Sequence, residues 1–159
     1  MVEPSGHRAL QLVCFELRGQ ELALPIAEVR ETLPMQPITR VVLTPPCLAG
    51  VFSLRGDIVP AIDLAVLLGL PRTEVADGSR IVVLDRTEGM AGIVVDRLRD
   101  MRRIEEPLEP PPPTVTAAVA SMLLGVAVTQ TGTVRVLDAR AVLTAEPLRA
   151  LANEKGKPS

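Results

Sequence analysis

Aromatic side chains are nearly missing from this chain: it holds no tryptophan and no tyrosine, and Phe15 and Phe52 are its only phenylalanines. That removes the stacking platforms on which single-stranded nucleic acids and sugars are usually held. Positive charge is not in excess either. Lys and Arg number 17 against 19 Asp and Glu, for a formal net charge of -2, so no basic field draws in a phosphate backbone and nucleic acid is not an expected partner. Apolar runs stay short of the roughly 18 to 20 residues of a membrane span, and the polar start MVEPSGHR lacks the charged and apolar regions of a secretion signal. A cytoplasmic protein without direct membrane insertion is expected.

Catalytic chemistry is just as sparse. His7 is the only histidine and lies in the polar stretch 1–8, expected to be a disordered tail, so neither a Ser-His-Asp nor a Cys-His arrangement is in prospect. Cys14 and Cys47 sit in apolar surroundings without CxxC spacing and read as buried thiols, and no four-ligand zinc set accompanies them. Neither GxGxxG nor GxxxxGKS occurs. Asp57, Asp63, Asp85 and Asp96 fall at turns and strand ends, where carboxylates cap and turn the chain rather than act as acid and base pairs. No catalytic residue, metal or cofactor is expected.

What the chain does hold is aliphatic bulk. Of its 159 residues 47% are hydrophobic, almost all Val, Leu, Ile and Ala, and a chain of this length buries about two-thirds of its surface without a disulfide or metal staple. The apolar runs are short and broken by turn residues, which predicts an all-β protein with short helices. Strands are expected at about Leu10 to Leu17 and Leu22 to Ile26 around Arg18-Gly19-Gln20-Glu21, with Pro25 marking an edge or a bulge. From Ile26 through AEVRETL, Ile26, Val29 and Leu33 fit a helical face while Val29, Glu31 and Leu33 fit strand alternation; if the segment is a strand, Glu31 is expected to point away from the core. Val51 to Leu54 and Ile58 to Ile62 flank Arg55-Gly56-Asp57 as a hairpin, after which Asp63 caps a short helix that ends before Gly69. Strands at Ile81 to Leu84 and Met90 to Val95, joined through Thr87-Glu88-Gly89, precede the charged piece DRLRDMRRIEE and a polyproline-type loop at Pro110 to Pro113.

An internal repeat then shows itself. Gly50 stands 13 residues before Asp63, and Gly125 stands 13 before Asp138, with a turn midway in each and Val66-Leu67 or Val142-Leu143 following the Asp. Two similar β lobes follow from the repeat. They are expected within one domain at 9–146, as a first lobe at about 18–79 and a second at about 80–145, with the first strand a candidate for exchange between them and a C-terminal helix and tail at 147–159.

The stretch Gly50-Val51-Phe52-Ser53-Leu54-Arg55-Gly56-Asp57-Ile58-Val59-Pro60-Ala61-Ile62-Asp63-Leu64 resembles the CheW family of chemotaxis coupling proteins, whose signature reads approximately GVxNLRGxxxPxxDL. LVCFELRGQELALPIAEVRETL, AGIVVDRLRDM and VRVLDARAVL agree with it in order. The resemblance implies two five-stranded SH3-like barrels and a non-enzymatic adaptor that bridges the cytoplasmic tips of methyl-accepting chemoreceptors to the regulatory domain of a CheA-type histidine kinase, in the cytoplasm at receptor arrays. Carried over by motif, the receptor-facing positions are Val29, Glu31, Arg55, Val95 and Leu98, in a groove between lobes, and the kinase-facing ones are Leu33, Ile38 and Val41, with Ile38 expected to be exposed. Gly50, Arg55, Gly56, Pro60, Asp63, Gly125 and Asp138 would be the structural motif positions. The chain departs from the pattern at Ser53, at Leu98 and Met101, in Pro45-Pro46-Cys47-Leu48, and at the tetraproline, which is unusual for the family. Two alternatives stay open: a paralogue that engages the receptor but not the kinase, and a β-barrel that binds a small ligand.

Overall fold

The structure, a computed structural model, describes residues 9–86, 89–145 and 148. The expected tail at 1–8 with His7, the joint at Thr87-Glu88 and nearly all of the expected C-terminal helix lie outside the described residues. In chain order the strands are β1 (Leu10–Leu17), β2 (Gln20–Pro25), β3 (Val29–Pro34), β4 (Leu48–Leu54), β5 (Asp57–Asp63), β6 (Arg80–Arg86), β7 (Gly89–Val95), β8 (Arg97–Ile104), β9 (Leu123–Thr129) and β10 (Gly132–Leu137). Short helices α1 (Leu64–Leu67), α2 (Ala117–Ala120) and α3 (Ala139–Leu143) punctuate them, and Ile26–Glu28 forms one 3-10 turn. The AEVRETL segment is thus a turn followed by a strand, and the charged piece after Val95 is a strand in its own right.

Two five-stranded sheets result, ordered β8-β1-β2-β10-β9 and β3-β6-β7-β5-β4. Both have the same plan, in which one inner pairing, β10 with β2 or β5 with β7, is parallel and the rest are antiparallel. The fold is all-β, with two SH3-like lobes. The lobes are not consecutive segments, which corrects the expected division near residue 79: β6 and β7 pair with β3 and β5, while β1 and β2 belong with β8, β9 and β10. The cause is that each inner hairpin hands its next strand to the other sheet. β2 leads through the 3-10 turn into β3, and β7 leads through Asp96 into β8.

The sequence repeat is visible atom by atom. Register slips by one residue at Ala49, between Leu48 and Gly50, and again at Leu124, between Leu123 and Gly125. Gly50 (φ 150°) and Gly125 (φ 156°) follow these bulges, and a Cβ on either would strike the carbonyl of Thr39 or of Glu109. Those same two residues form isolated bridges to Val51 and Val126. Asp63 donates its N–H to the Cys47 carbonyl at 2.7 Å, and Asp138 donates its own to the Met122 carbonyl at 2.8 Å.

β1, β2, β6 and β7 bury side chains on both faces, which is why their central stretches run apolar without alternation. Leu12, Cys14, Ala23, Val134 and Val136 fill one lobe; Phe52, Val59, Ile81, Val83 and Val94 fill the other. Phe15, Leu17, Leu22 and Leu24 meet Val82, Leu84, Ile93 and Val95 between the lobes, sealed by Leu64, Ala139 and Val142 from the helices. Side chains therefore occupy both barrel interiors, where the ligand-binding alternative would place its ligand.

Pro25 does not mark an edge. It ends a strand flanked on both sides, beyond the two residues, Leu22 and Ala23, at which β10 joins. Pro60 is tolerated inside β5 because its partner Val51 exchanges its backbone hydrogen bonds with Thr39, at 2.8 and 2.9 Å, and asks none of Pro60.

Candidate functional site

Glu31 and Arg55 are brought together from 24 residues apart. Arg55 (φ 50°) and Gly56 (φ 88°) form the two-residue turn between β4 and β5, the left-handed pair that a hairpin with right-handed strand twist requires. From that turn the Arg55 guanidinium reaches Glu31 on β3 with both forks, Nη1 to Oε2 at 2.5 Å and Nη2 to Oε1 at 2.8 Å. The hydrogen bonds from Arg55 hold the Glu31 carboxyl below its ordinary value, and Glu31 in turn raises Arg55. Glu31 does not point away from the core as expected. Register slips at Arg30, so Val29 pairs with Leu84 on the inter-lobe face while Glu31 and Leu33 pair with Val83 and Ile81, on the face that lines the second sheet's barrel.

The same slip recurs in β8. Leu98 pairs with Phe15 and Met101 with Val13, leaving two residues, Arg99 and Asp100, against one, Cys14, so the bulge turns Met101 onto the face that carries Leu98. Val29 and Leu98 are half-buried at the rim of the inter-lobe core, and Met101 is 70% exposed beyond it. Val95 is fully buried in that core. Its expected receptor contact is therefore corrected: its side chain binds the lobes to each other.

Of the three kinase-facing candidates, Leu33 and Ile38 are half-buried against the barrel core, so the expected exposure of Ile38 is also corrected. Gly50 admits it: the Ile38 Cγ2 lies 2.7 Å from where a Cβ of residue 50 would stand. Val41 is 40% exposed, and its neighbours Val42 and Leu43, which sequence reasoning missed, are 84% and 96% exposed. Leu43 takes φ 62°, and the Thr44 hydroxyl donates to the Val41 carbonyl at 2.7 Å to close the turn. The signal available in the sequence was three aliphatic residues directly before Thr44-Pro45-Pro46, a loop that cannot enter a ladder.

Asp63 and Asp138 both cap helices, and they are not equals. Among the described residues Asp138 accepts only the Ala141 N–H, at 3.2 Å, whereas buried Asp63 accepts the Val66 N–H at 3.4 Å, the Thr73 N–H at 3.1 Å and the Thr73 hydroxyl at 3.0 Å. Cys14, Glu21 and Asp100 converge at the end of the other barrel, but the Arg102 guanidinium supplies the positive charge there, 3.2 Å from Glu21 and 3.4 Å from Asp100. Burial pushes the Cys14 thiol up to about 11.

A family model described as a CheW-like domain matches residues 11–146. The chain belongs to the CheW-like domain family. Chemotaxis protein CheW of Bacillus subtilis is 29% identical over 137 residues, covering 86% of this chain and 88% of that protein. Protein FrzA of Myxococcus xanthus is 31% identical over 116 residues, 73% of this chain and 72% of its own. The crystal structure of the scaffolding protein TtCheW from Thermoanaerobacter tengcongensis superposes with a TM-score of 0.78 at 28% identity, over 88% of this chain and 91% of that one. The CheW proteins among them are named as chemotaxis and scaffolding proteins, not as enzymes. Among the described residues no helix is long and apolar enough to cross a membrane.

Proposed function

We propose that this CheW-like protein is a cytoplasmic adaptor that couples the signalling tips of methyl-accepting chemoreceptors to a CheA-type histidine kinase within a receptor array. The observation that carries the reading is that one chain presents two surfaces of different chemistry, one at the inter-lobe core and one on a single barrel. The first combines Val29 and Leu98 at the inter-lobe rim with the Glu31–Arg55 pair on the other face of β3, and it faces the receptor. The second is the exposed aliphatic loop Val41-Val42-Leu43, on the same lobe as half-buried Leu33 and Ile38, and it faces the kinase regulatory domain. An exposed aliphatic cluster of this kind suits the desolvated centre of a protein interface.

Leu43→Asp tests the assignment with little risk to the fold, because Leu43 is 96% exposed and Asp tolerates its left-handed backbone. It is expected to weaken binding to the kinase regulatory domain by at least about tenfold while leaving binding to a receptor signalling tip unchanged. Arg55→Glu is expected to do the reverse. A wild-type chain that binds the receptor tip and never the kinase domain makes it a receptor-side paralogue, and one that binds neither refutes the adaptor.

A further inference from the structure

The two lobes place corresponding loops at corresponding positions. In one, the chain leaves the Thr39–Val51 bridge into Arg40-Val41-Val42-Leu43; in the other, it leaves the Glu109–Val126 bridge into Pro110-Pro111-Pro112-Pro113. Both loops therefore begin at the backbone that a bulge glycine, Gly50 or Gly125, allows to come close. Pro110, Pro112 and Pro113 are exposed and Pro111 is half-buried. The ends of the proline run are fastened: Glu109 and Val126 exchange two backbone hydrogen bonds of 2.8 Å, Val115 donates to the Pro112 carbonyl at 3.1 Å, and Thr116 caps α2 through the Val119 N–H at 3.2 Å.

Proline has no N–H, and each residue from Glu109 to Pro112 precedes a proline, which drives it out of the helical region into an extended, polyproline-type backbone. The run rises about 3.1 Å per residue and has little conformational entropy left to lose on binding. Glu105, Glu106 and Glu109 flank it, all exposed. We infer that this arch is a docking ligand for another protein whose groove is lined with aromatic side chains and rimmed with basic ones, the surface that reads polyproline helices. A second copy of this chain is not the occupant. It has no tryptophan or tyrosine, and Phe15 and Phe52 are 0% and 2% exposed, so it has no aromatic groove to offer.

The full chain is titrated against two aromatic-groove probes, an EVH1 domain and a WW domain, by calorimetry, beside the double variant Pro111→Ala/Pro112→Ala and a synthetic peptide spanning residues 105–116. Wild type is expected to bind at least one probe, the double variant at least about tenfold more weakly with an unmoved melting temperature, and the peptide is expected to compete for the same groove. Should the double variant lose its fold, the competition by the peptide decides. No binding of wild type to either probe, binding undiminished in a folded double variant, or a peptide that does not compete overturns the inference and leaves the prolines as a strut between β8 and α2.

Discussion

Asp63 and Asp138 occupy equivalent places in the repeat, and removing each carboxylate should have unequal consequences. Asp63→Ala deletes a helix cap, a loss of about 1 kcal/mol. It also strands the Thr73 N–H and hydroxyl in a site where Asp63 is 4% and Thr73 8% exposed, and one buried unpaired donor costs about 1 to 3 kcal/mol. At the low end for each of the two donors, the total with the cap is about 3 kcal/mol. Asp138→Ala loses a single cap bond, of 3.2 Å, and should cost about 1 kcal/mol. For a chain of this size those values translate into a fall in melting temperature of about 6 to 12 °C against about 2 to 4 °C. Urea unfolding followed by circular dichroism measures both, and an unchanged m-value assigns the difference to the folded state. Asp63→Asn supplies the control. Its one oxygen keeps the bonds from Val66 and the Thr73 hydroxyl, but its NH2 then opposes the Thr73 N–H, so it should fall between wild type and Asp63→Ala. Equal losses at Asp63 and Asp138, or a loss at Asp63 under about 1 kcal/mol, would refute the idea that the Thr73 contacts make the first cap structural.

Three further outcomes follow from the same fold. The Glu31 carboxyl is held below its ordinary 4.5 by Arg55, so the pair's contribution is fully present above that value and is lost as pH falls through the lowered folded-state value; the stability gap between wild type and Glu31→Gln should be flat near neutrality and close only in acid, and a gap that opens in acid would contradict the pairing. Cys14 and Cys47 are buried, and burial raises both thiols; a thiol reagent at pH 8 should label neither in the native protein and both after denaturation, so rapid native labelling would place a thiol at the surface. Gly50→Ala must displace the Thr39 carbonyl and Ile38, whereas Gly56→Ala meets nothing within 4 Å and bears only its φ of 88°; the turn variant should cost about 1 to 2 kcal/mol and the Gly50 variant more, with equal melting temperatures arguing against the close approach.

The class of fold and the family were legible in the linear chain because both rest on local patterns. Two Arg-Gly turns between aliphatic runs, capping Asp residues and a glycine 13 residues before each are short-range signals, and each specifies its hairpin without reference to distant residues. The lobe division was not legible, since β1 and β6 each look like plain two-sided apolar strands and nothing in either states which sheet receives the strand that follows its hairpin. Burial on both faces also hid function from composition: Val95 and Val41 are the same residue type, one sealed between lobes and the other at the surface. Two of the edge-strand bulges, in β3 at Arg30 and in β8 opposite Cys14, leave no mark in the sequence, because a one-residue slip is set by how the strand pairs across the sheet. Glu31 and Arg55 could each be singled out from the chain, but only the folded sheet, by turning Glu31 away from the Val29 face and toward the hairpin turn, made them a pair.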